Sequence, residues 1–361
     1  MTLPIIAITL GDPAGIGPET ILGAWSDPGM LAAGRLLIVG RPEIVARAME
    51  LKRLRAEIAI IEDPAEAQPA VDVVPVLVAG SEKAIDVPAG KLDARGGQAA
   101  YDALHVAAQL ALAGKVDAIV TGPLNKAALN AAGHAYPGHT ELLGAFCGVP
   151  QPAMMLYLPA GAGVAGPNGL GVLHATLHMS VRDALAALSI EGIVESCRLA
   201  HEMLSRLALT AVDDGEPRSH PKIGLCAVNP HASENGLFGS EETEIVIPAM
   251  HEARKLNLDV HGPFPADTIM VRARAGEYDG VVAMYHDQGH IALKLLGMHR
   301  AVNITCGLPI IRTSVAHGTA FEIAWQGVAD CGGVIEAVRV AGRLCHKLPQ
   351  TVEGDGAEEV F

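Results

Sequence analysis

The sequence predicts an α/β protein built on a largely parallel sheet. Three observations carry that prediction. Short apolar runs with strand character alternate with segments of helical periodicity along the chain. Four of the runs stop abruptly at polar side chains, as strands do where an α/β sheet presents its ligand-binding edge. Glycine and proline are frequent, at 40 and 23 of 361 residues, which suits many short strand-to-helix turns.

In chain order, residues 4–10 read as the first strand. The turn Gly11–Glu19 then opens a helix, with Pro18 suited to its first position. Its spacing is neither GxGxxG nor GxxxxGK[ST], so it reads as a tight βα turn rather than a nucleotide fingerprint. Residues 35–39 form a strand, 42–51 a helix, and 58–61 and 71–78 further strands. A helix with Ala and Leu on one face covers 96–114; a strand at 117–120 and a helix near 126–132 follow. Residues 136–141 read as a surface turn carrying His139, Thr140 and Glu141, ahead of 142–146. Strand 153–158 is followed by a Gly/Ala/Pro stretch, 159–171, expected to be a flexible insertion. Helices at 181–188 and 190–209 lead to a polar linker at 210–220. A helix at 241–256 has acids in its first turn, as the helix dipole prefers. Another helix starts near Asp267, the last one spans 333–345, and 351–361 reads as a disordered acidic tail.

Composition narrows the function. The net charge is −14, with only two Trp, five Tyr and five Phe. Such a chain lacks the field and the stacking platforms of a nucleic-acid binder, and any anionic ligand must be met by local Lys, Arg and His. The six cysteines form no CxxC pair and lie mostly in apolar runs, which fits reduced thiols in a cytoplasmic protein. No basic n-region with a signal core and no apolar run of transmembrane length is visible. The length suits about two domains.

The polar ends of the predicted strands share a theme. Residues 171–178 carry His174 and end at His178. Residues 222–231 end in Asn229-Pro230-His231. Residues 279–284 run into His286, Asp287, Gln288, His290 and Lys294, while 115–121 end at Thr121 with Asn125 and Lys126 beyond. Three strands that deliver histidine to one sheet edge suggest a metal site built from imidazoles, which suit Zn, Co, Ni or Fe better than Ca.

The blocks GDPAGIGPE (11–19), VTGPLNK (120–126), YPGHTELL (136–143), NPHASENGLFGSEE (229–242), MYHDQGHIALK (284–294), VNIT (302–305) and GLPIIRTSVAHGTA (307–320) together resemble the 4-hydroxythreonine-4-phosphate dehydrogenase family of pyridoxal phosphate biosynthesis. The likeness runs from about residue 5 to residue 345. NGLFG, DQGHIALKLLG and AFEIAW look closer to its 4-phosphoerythronate or 4-phosphothreonate branch. The resemblance implies an isopropylmalate/isocitrate dehydrogenase-like fold of two α/β domains, with the active site in the cleft between them. Residues 1–140 with 305–350 would form the cofactor-side domain, and 141–304 the metal and dimer side.

It further implies a homodimer with a shared active site, NAD or NADP as cofactor, and one divalent metal (Zn, Co, Mg or Mn). The implied metal ligands are His178, His231 and His286, the last from the opposite subunit. Substrate would meet His139, Thr140, Lys294, Asn303 and Arg312. Lys294 and Asp267 would be catalytic, and His317, Gly318, Thr319 and Ala320 would contact the nucleotide. Two departures stand out: Ser233 where the family usually has Gly, and Ala316 where it has Asp before HG. His174, His290 and His299 are expected to be structural. The implied reaction is oxidation of a phosphorylated 3-hydroxy acid to a 3-keto acid that decarboxylates. The alternatives are a cis-dihydrodiol carboxylate dehydrogenase of the terephthalate type and a non-redox phosphate-binding or acyltransferase-like protein.

Overall fold

The computed structural model describes residues 3–161, 163–208 and 220–346. The tail expected at 351–361, and all but the last residue of the linker expected at 210–220, lie outside these. The chain opens with β1 (Ile5–Thr9), α1 (Gly17–Ala24), α2 (Pro28–Ala32), β2 (Arg35–Gly40), α3 (Pro42–Lys52), β3 (Glu57–Ile61) and β4 (Val73–Val78). It continues through α4 (Ala94–Leu112), β5 (Ala118–Thr121), α5 (Lys126–Ala131), α6 (His139–Cys147), β6 (Ala153–Leu158), β7 (Leu170–His174), α7 (Val181–Ala187) and α8 (Ile190–Ala208). Then come β8 (Ile223–Cys226), α9 (Ile247–Lys255), β9 (Val260–Phe264), α10 (Ala266–Arg274), β10 (Gly280–Ala283), α11 (His286–Gly297), β11 (Val302–Cys306), β12 (Ile311–Val315) and α12 (Gly332–Leu344).

The strands form one sheet in the order β3-β4-β2-β1-β5-β12-β11-β6-β7-β10-β8-β9. Its first block, β3 to β12, is parallel throughout, and so is its last, β7 to β9. Between them β12–β11, β11–β6 and β6–β7 are antiparallel. The two parallel blocks therefore run in opposite directions. The expectation of a largely parallel sheet holds within each block, and the three middle pairings are what it missed. β9 is an addition of the structure, since its centre, His261, Gly262 and Pro263, carries no apolar strand pattern. As the outer strand of the sheet, β9 can hold a proline without losing an inner ladder bond.

Helices cover both faces. α8 and α12 bury Leu204, Leu207, Val338 and Val340 with Tyr157, Val302 and Ile304 of the middle strands. On the other face, α4 buries Ala103, Leu104 and Ala107 with β1 and β2, while α10 and α11 bury Ile269 and Leu293 with Leu156 and Val172.

The described residues between β6 and β7, 159–161 and 163–169, are held by hydrogen bonds to neighbouring elements. Tyr157 Oη donates to the Asn168 carbonyl at 2.8 Å, Asn168 Nδ2 donates to Asp279 Oδ1 at 3.2 Å, and Arg274 Nε donates to the Gly163 carbonyl at 3.1 Å. Asn168 itself is wholly buried. No helix among the described residues is long and apolar enough to cross a membrane. All six cysteines are free, and burial pushes the thiols of Cys197, Cys226 and Cys306 up to about 12.

Candidate active site

Side chains alternate across a strand, so every second residue of β6, β11 and β12 faces the same way. Ladder register lines them up as two rows: Leu156–Asn303–Ser314 and Met154–Thr305–Arg312. Leu156, Asn303, Ser314, Met154 and Arg312 line a cavity of about 260 Å³ between the helices of the two parallel blocks. The site thus lies over the strands where chain direction reverses.

Arg312 is buried on that floor, 1 % exposed. Its Nε and Nη2 donate to Thr121 Oγ1 at 3.2 and 2.6 Å, and its Nη1 donates to Thr305 Oγ1 at 2.9 Å. Burial draws its pKa down to about 9, with the Glu141 charge opposing. The partners are hydroxyls, not a carboxylate, so the buried charge is uncompensated by a bonded anion and favours an anionic guest. Lys126 and Lys294 add two more cations to the lining, against the single carboxylate of Glu141.

The walls come from two helices. The expected surface turn at 136–141 is instead the entry to α6, whose first turn presents His139, Thr140 and Glu141 to the cavity. Burial and the charge of Arg312 hold the His139 pKa well below the ordinary imidazole range, partly opposed by the Gly122 carbonyl. Opposite, the polar cluster after β10 is the beginning of a helix, not a loop. His286, His290 and Lys294 recur every four residues on α11, which puts them on one face. Among the lining atoms, Glu141 Oε2, Asn303 Oδ1 and His317 Nε2 are buried without a hydrogen-bond partner. Orphaned polar atoms of this kind call for a partner, whether water, ion or ligand.

The three histidines expected to hold metal share one feature. His178 Nδ1 lies 3.2 Å from Glu141 Oε1, His231 Nδ1 3.1 Å from Glu234 Oε1, and His286 Nδ1 2.6 Å from Asp287 Oδ1. With Nδ1–H donating to a carboxylate, each ring keeps its Nε2 lone pair free, the arrangement that orients metal-binding imidazoles. Their donor chemistry fits a divalent metal. His178 and His286 lie together, with ring centroids 5.8 Å apart.

His231 is not part of this cavity, and no group of three or more His, Cys, Asp and Glu among the described residues gathers closely enough to hold a metal. Within a single chain, His286 lines the same cavity as His178, and His231 is the outlier. Asp267, exposed at the start of α10, does not line the cavity either.

His231 sits on an unusual turn. Residues 231 to 235 all have positive φ, from 47° to 61°, and none is glycine. Each such residue costs roughly 1–2 kcal/mol. The turn is gripped from behind: Glu242 Oε1 accepts from the Val228 and Asn229 amides at 2.8 and 2.7 Å, and Asn229 Nδ2 donates to Glu241 Oε2 at 2.6 Å. Here the helix expected at 241–256 begins as a π turn, Glu242–Val246, before settling into α9.

His174 and His290, read as structural from the sequence, form a buried pair. His174 Nε2 lies 3.0 Å from His290 Nδ1, and His174 Nδ1 lies 3.4 Å from the Met154 carbonyl. His290 also stacks on His286, with centroids 3.7 Å apart and planes within 12°. Burial drives the pKa of His174 to about 4 and that of His290 to about 3, so both rings are neutral at neutral pH. The sequence also passed over Lys126 as a site residue, although the polar end of VTGPLNK carried the signal.

The expected nucleotide loop packs against the first turn of the chain. Ile16 N donates to the Thr319 carbonyl at 3.0 Å. Trp325 Nε1 donates to the Pro13 carbonyl at 2.7 Å, and Glu19 accepts from the amides of Trp325 and Gly327 at 2.7 and 2.8 Å. His317 and Gly318 reach the cavity; Thr319 and Ala320 do not line it. Nearby, Asp12 is fully buried with Oδ2 unpartnered, and burial raises its pKa to about 6.

Comparison with known proteins adds three findings. Residues 32–341 match the family described as pyridoxal phosphate biosynthetic protein PdxA. The chain is 42% identical over 341 residues to the D-threonate 4-phosphate dehydrogenase of Pectobacterium atrosepticum, covering 94% of this chain and 99% of that one. It is 40% identical over 344 residues to the 4-hydroxythreonine-4-phosphate dehydrogenase of Trichlorobacter lovleyi, covering 94% and 97%. Among solved structures, the 4-hydroxythreonine-4-phosphate dehydrogenase of Klebsiella pneumoniae superposes with a TM-score of 0.81 at 41% identity, over 95% of this chain and 100% of that one.

Proposed function

The chain belongs to the PdxA family, and from that membership we propose that it is a dehydrogenase of a phosphorylated 3-hydroxy acid, using NAD or NADP and a divalent metal. D-threonate 4-phosphate and 4-hydroxythreonine 4-phosphate, the compounds named for its relatives, are the first candidates. One observation carries the reading: a single cavity joins an uncompensated buried guanidinium to two imidazoles whose Nε2 atoms are free. Arg312, Lys126 and Lys294 suit a substrate with a phosphate at one end and a carboxylate at the other. A terephthalate-type cis-dihydrodiol also carries an anion at each end, so the substrate panel below, and not charge, separates the two.

His178 and His286 would hold the metal from one copy. A second copy would complete it with His231 and bring Asp267, because both follow neighbouring strands, β8 and β9, and both are exposed. Leu237 and Phe238, 74% and 49% exposed beside His231, supply an apolar tip for such a contact. A largely apolar hollow lined by Leu177, Met179, Val181 and Ala184 lies against His178 and His286 and could receive it.

When bound, the metal supplies Lewis acidity toward the hydroxyl oxygen and the nicotinamide supplies the hydride acceptor. The protein's own groups do the rest. Arg312 and the lysines fix the anionic ends and so set which carbon faces the reaction. His139 and Thr140 hold the substrate from α6. Lys294 offers a proton to the carbon that loses CO2 from the resulting 3-keto acid. His317 to Ala320, stacked on the 11–19 turn, would receive the nucleotide.

The test is NAD(P)H formation at 340 nm with the two phosphorylated acids, a dephosphorylated control and a terephthalate-type cis-dihydrodiol, with and without chelator. Turnover of a phosphorylated acid that chelation abolishes and metal restores is expected. Turnover of the diol alone, or none despite bound metal and nucleotide, would overturn the proposal.

A further inference from the structure

We propose that His290 recognises the substrate's spectator hydroxyl, and that His174 fits it for this task by fixing its tautomer. The inference deepens the dehydrogenase reading above and rests on it.

The chain of hydrogen bonds determines where each proton sits. The Met154 carbonyl can only accept, so His174 Nδ1 carries the proton across 3.4 Å. A neutral imidazole has one N–H, so His174 Nε2 is bare and can only accept. It accepts from His290 Nδ1–H across 3.0 Å. His290 Nε2 is therefore bare as well. That atom makes no hydrogen bond among the described residues and is not sealed from solvent, so it opens on the cavity that His290 lines. It sits one helical turn before Lys294 and is stacked on His286.

Two leucines would fill the same space without polar atoms to satisfy. The helix also gives way to the pair: a Cβ on Gly289 would lie 2.5 Å from His174 Nε2. A glycine inside a helix costs about 1 kcal/mol against alanine. The space that Gly289 leaves open is shared by the His174 ring and Val172, whose Cγ1 would lie 2.6 Å from the same Cβ.

A bare, nearly buried nitrogen at a substrate wall selects for a donor. A methylene placed against it leaves it desolvated and unpaired. In a 2,3-dihydroxy-4-phospho acid the 3-hydroxyl is consumed by oxidation, which leaves the 2-hydroxyl as the one spectator hydroxyl. His290 would accept its hydrogen bond. This makes His290 a specificity-determining residue and His174 a positioning residue.

The test pairs D-threonate 4-phosphate with 3-hydroxy-4-phosphobutanoate, which lacks only the 2-hydroxyl. Wild type, His290→Leu, His290→Gln and His174→Leu are assayed by NAD(P)H formation, with bound metal measured in each. The quantity read is the ratio of kcat/KM for the two compounds within one preparation, so a reduced folded fraction cancels. Wild type should prefer the hydroxylated compound by about 10- to 100-fold. His290→Leu should bring the ratio within about threefold of one while still oxidising the deoxy compound. His290→Gln retains an acceptor and should keep most of the preference. His174→Leu should lose part of it, with the metal retained. A wild-type ratio near one, or a His290→Leu enzyme that keeps the wild-type ratio while losing rate on both compounds, overturns the inference and leaves the pair structural. A wild type that oxidises neither compound overturns this inference, and one that also fails on 4-hydroxythreonine 4-phosphate overturns the dehydrogenase reading with it.

Discussion

Arg312 shows how a single residue can announce a ligand. It is as buried as the leucines around it and is held by Thr121 and Thr305, yet no carboxylate bonds to it. A hydrogen bond to a charged group is worth about 1.5–3 kcal/mol, so Arg312→Ala should lower kcat/KM at least about tenfold. The loss should be larger for a phosphorylated substrate than for its dephosphorylated analogue; equal losses would place Arg312 on the carboxylate. The metal residues give a second test. His178→Ala, His231→Ala and His286→Ala should each lower bound metal by elemental analysis, whereas His174→Ala should keep it.

His174 gives a pH test. Its folded pKa, about 4, lies below the ordinary value of 6.5, so the unfolded chain binds the extra proton first. The stability that this neutral ring contributes is full above about 6.5 and declines as pH falls toward 4. Thermal melting across that window should fall less steeply in His174→Leu than in wild type. The two motifs that carried His139 and Arg312 made them legible as site residues. His290 and Lys126 were harder, because a histidine in an apolar run reads equally well as core, and burial of one ring against another is a property of two distant segments.

At the scale of elements, the spacing of His286, His290 and Lys294 was in the sequence, but its meaning waited on knowing that a helix starts at His286. The turn at His231 was not legible at all. Apolar periodicity has no signature for five successive left-handed residues, and the grip that holds them comes from Glu242, on the far side of the loop. Ser233, at φ 61° and buried, occupies the middle of that run. Its Oγ accepts from the Gly236 amide at a long 3.3 Å, a weak return. Ser233→Gly should relieve roughly 1–2 kcal/mol of strain, offset in part by about 0.5–1 kcal/mol of extra chain entropy. The expected net is a rise in melting temperature of about 1–3 °C, read by calorimetry. A fall would mean that the serine hydroxyl matters more than the backbone conformation.

The whole molecule is organised by the reversal of strand direction at β12, β11 and β6. Alternation of strands and helices looks the same whichever way a block points, so the sequence conveyed the class and not the reversal. The division into 1–140 with 305–350 and 141–304 remains a proposal. Assembly can be tested by mixing inactive variants under conditions of subunit exchange. His178→Ala with His231→Ala should regain activity, because one site of the mixed dimer is then intact. His178→Ala with His286→Ala should not, since both rings line one cavity. The isolation of His231 from that cavity also has a consequence in mass action. If a lone chain carries two of the three imidazoles, catalysis is second order in free chains. Specific activity should then fall on dilution below the dimer's dissociation constant while far-ultraviolet circular dichroism stays constant, and metal should leave the protein over the same concentration range.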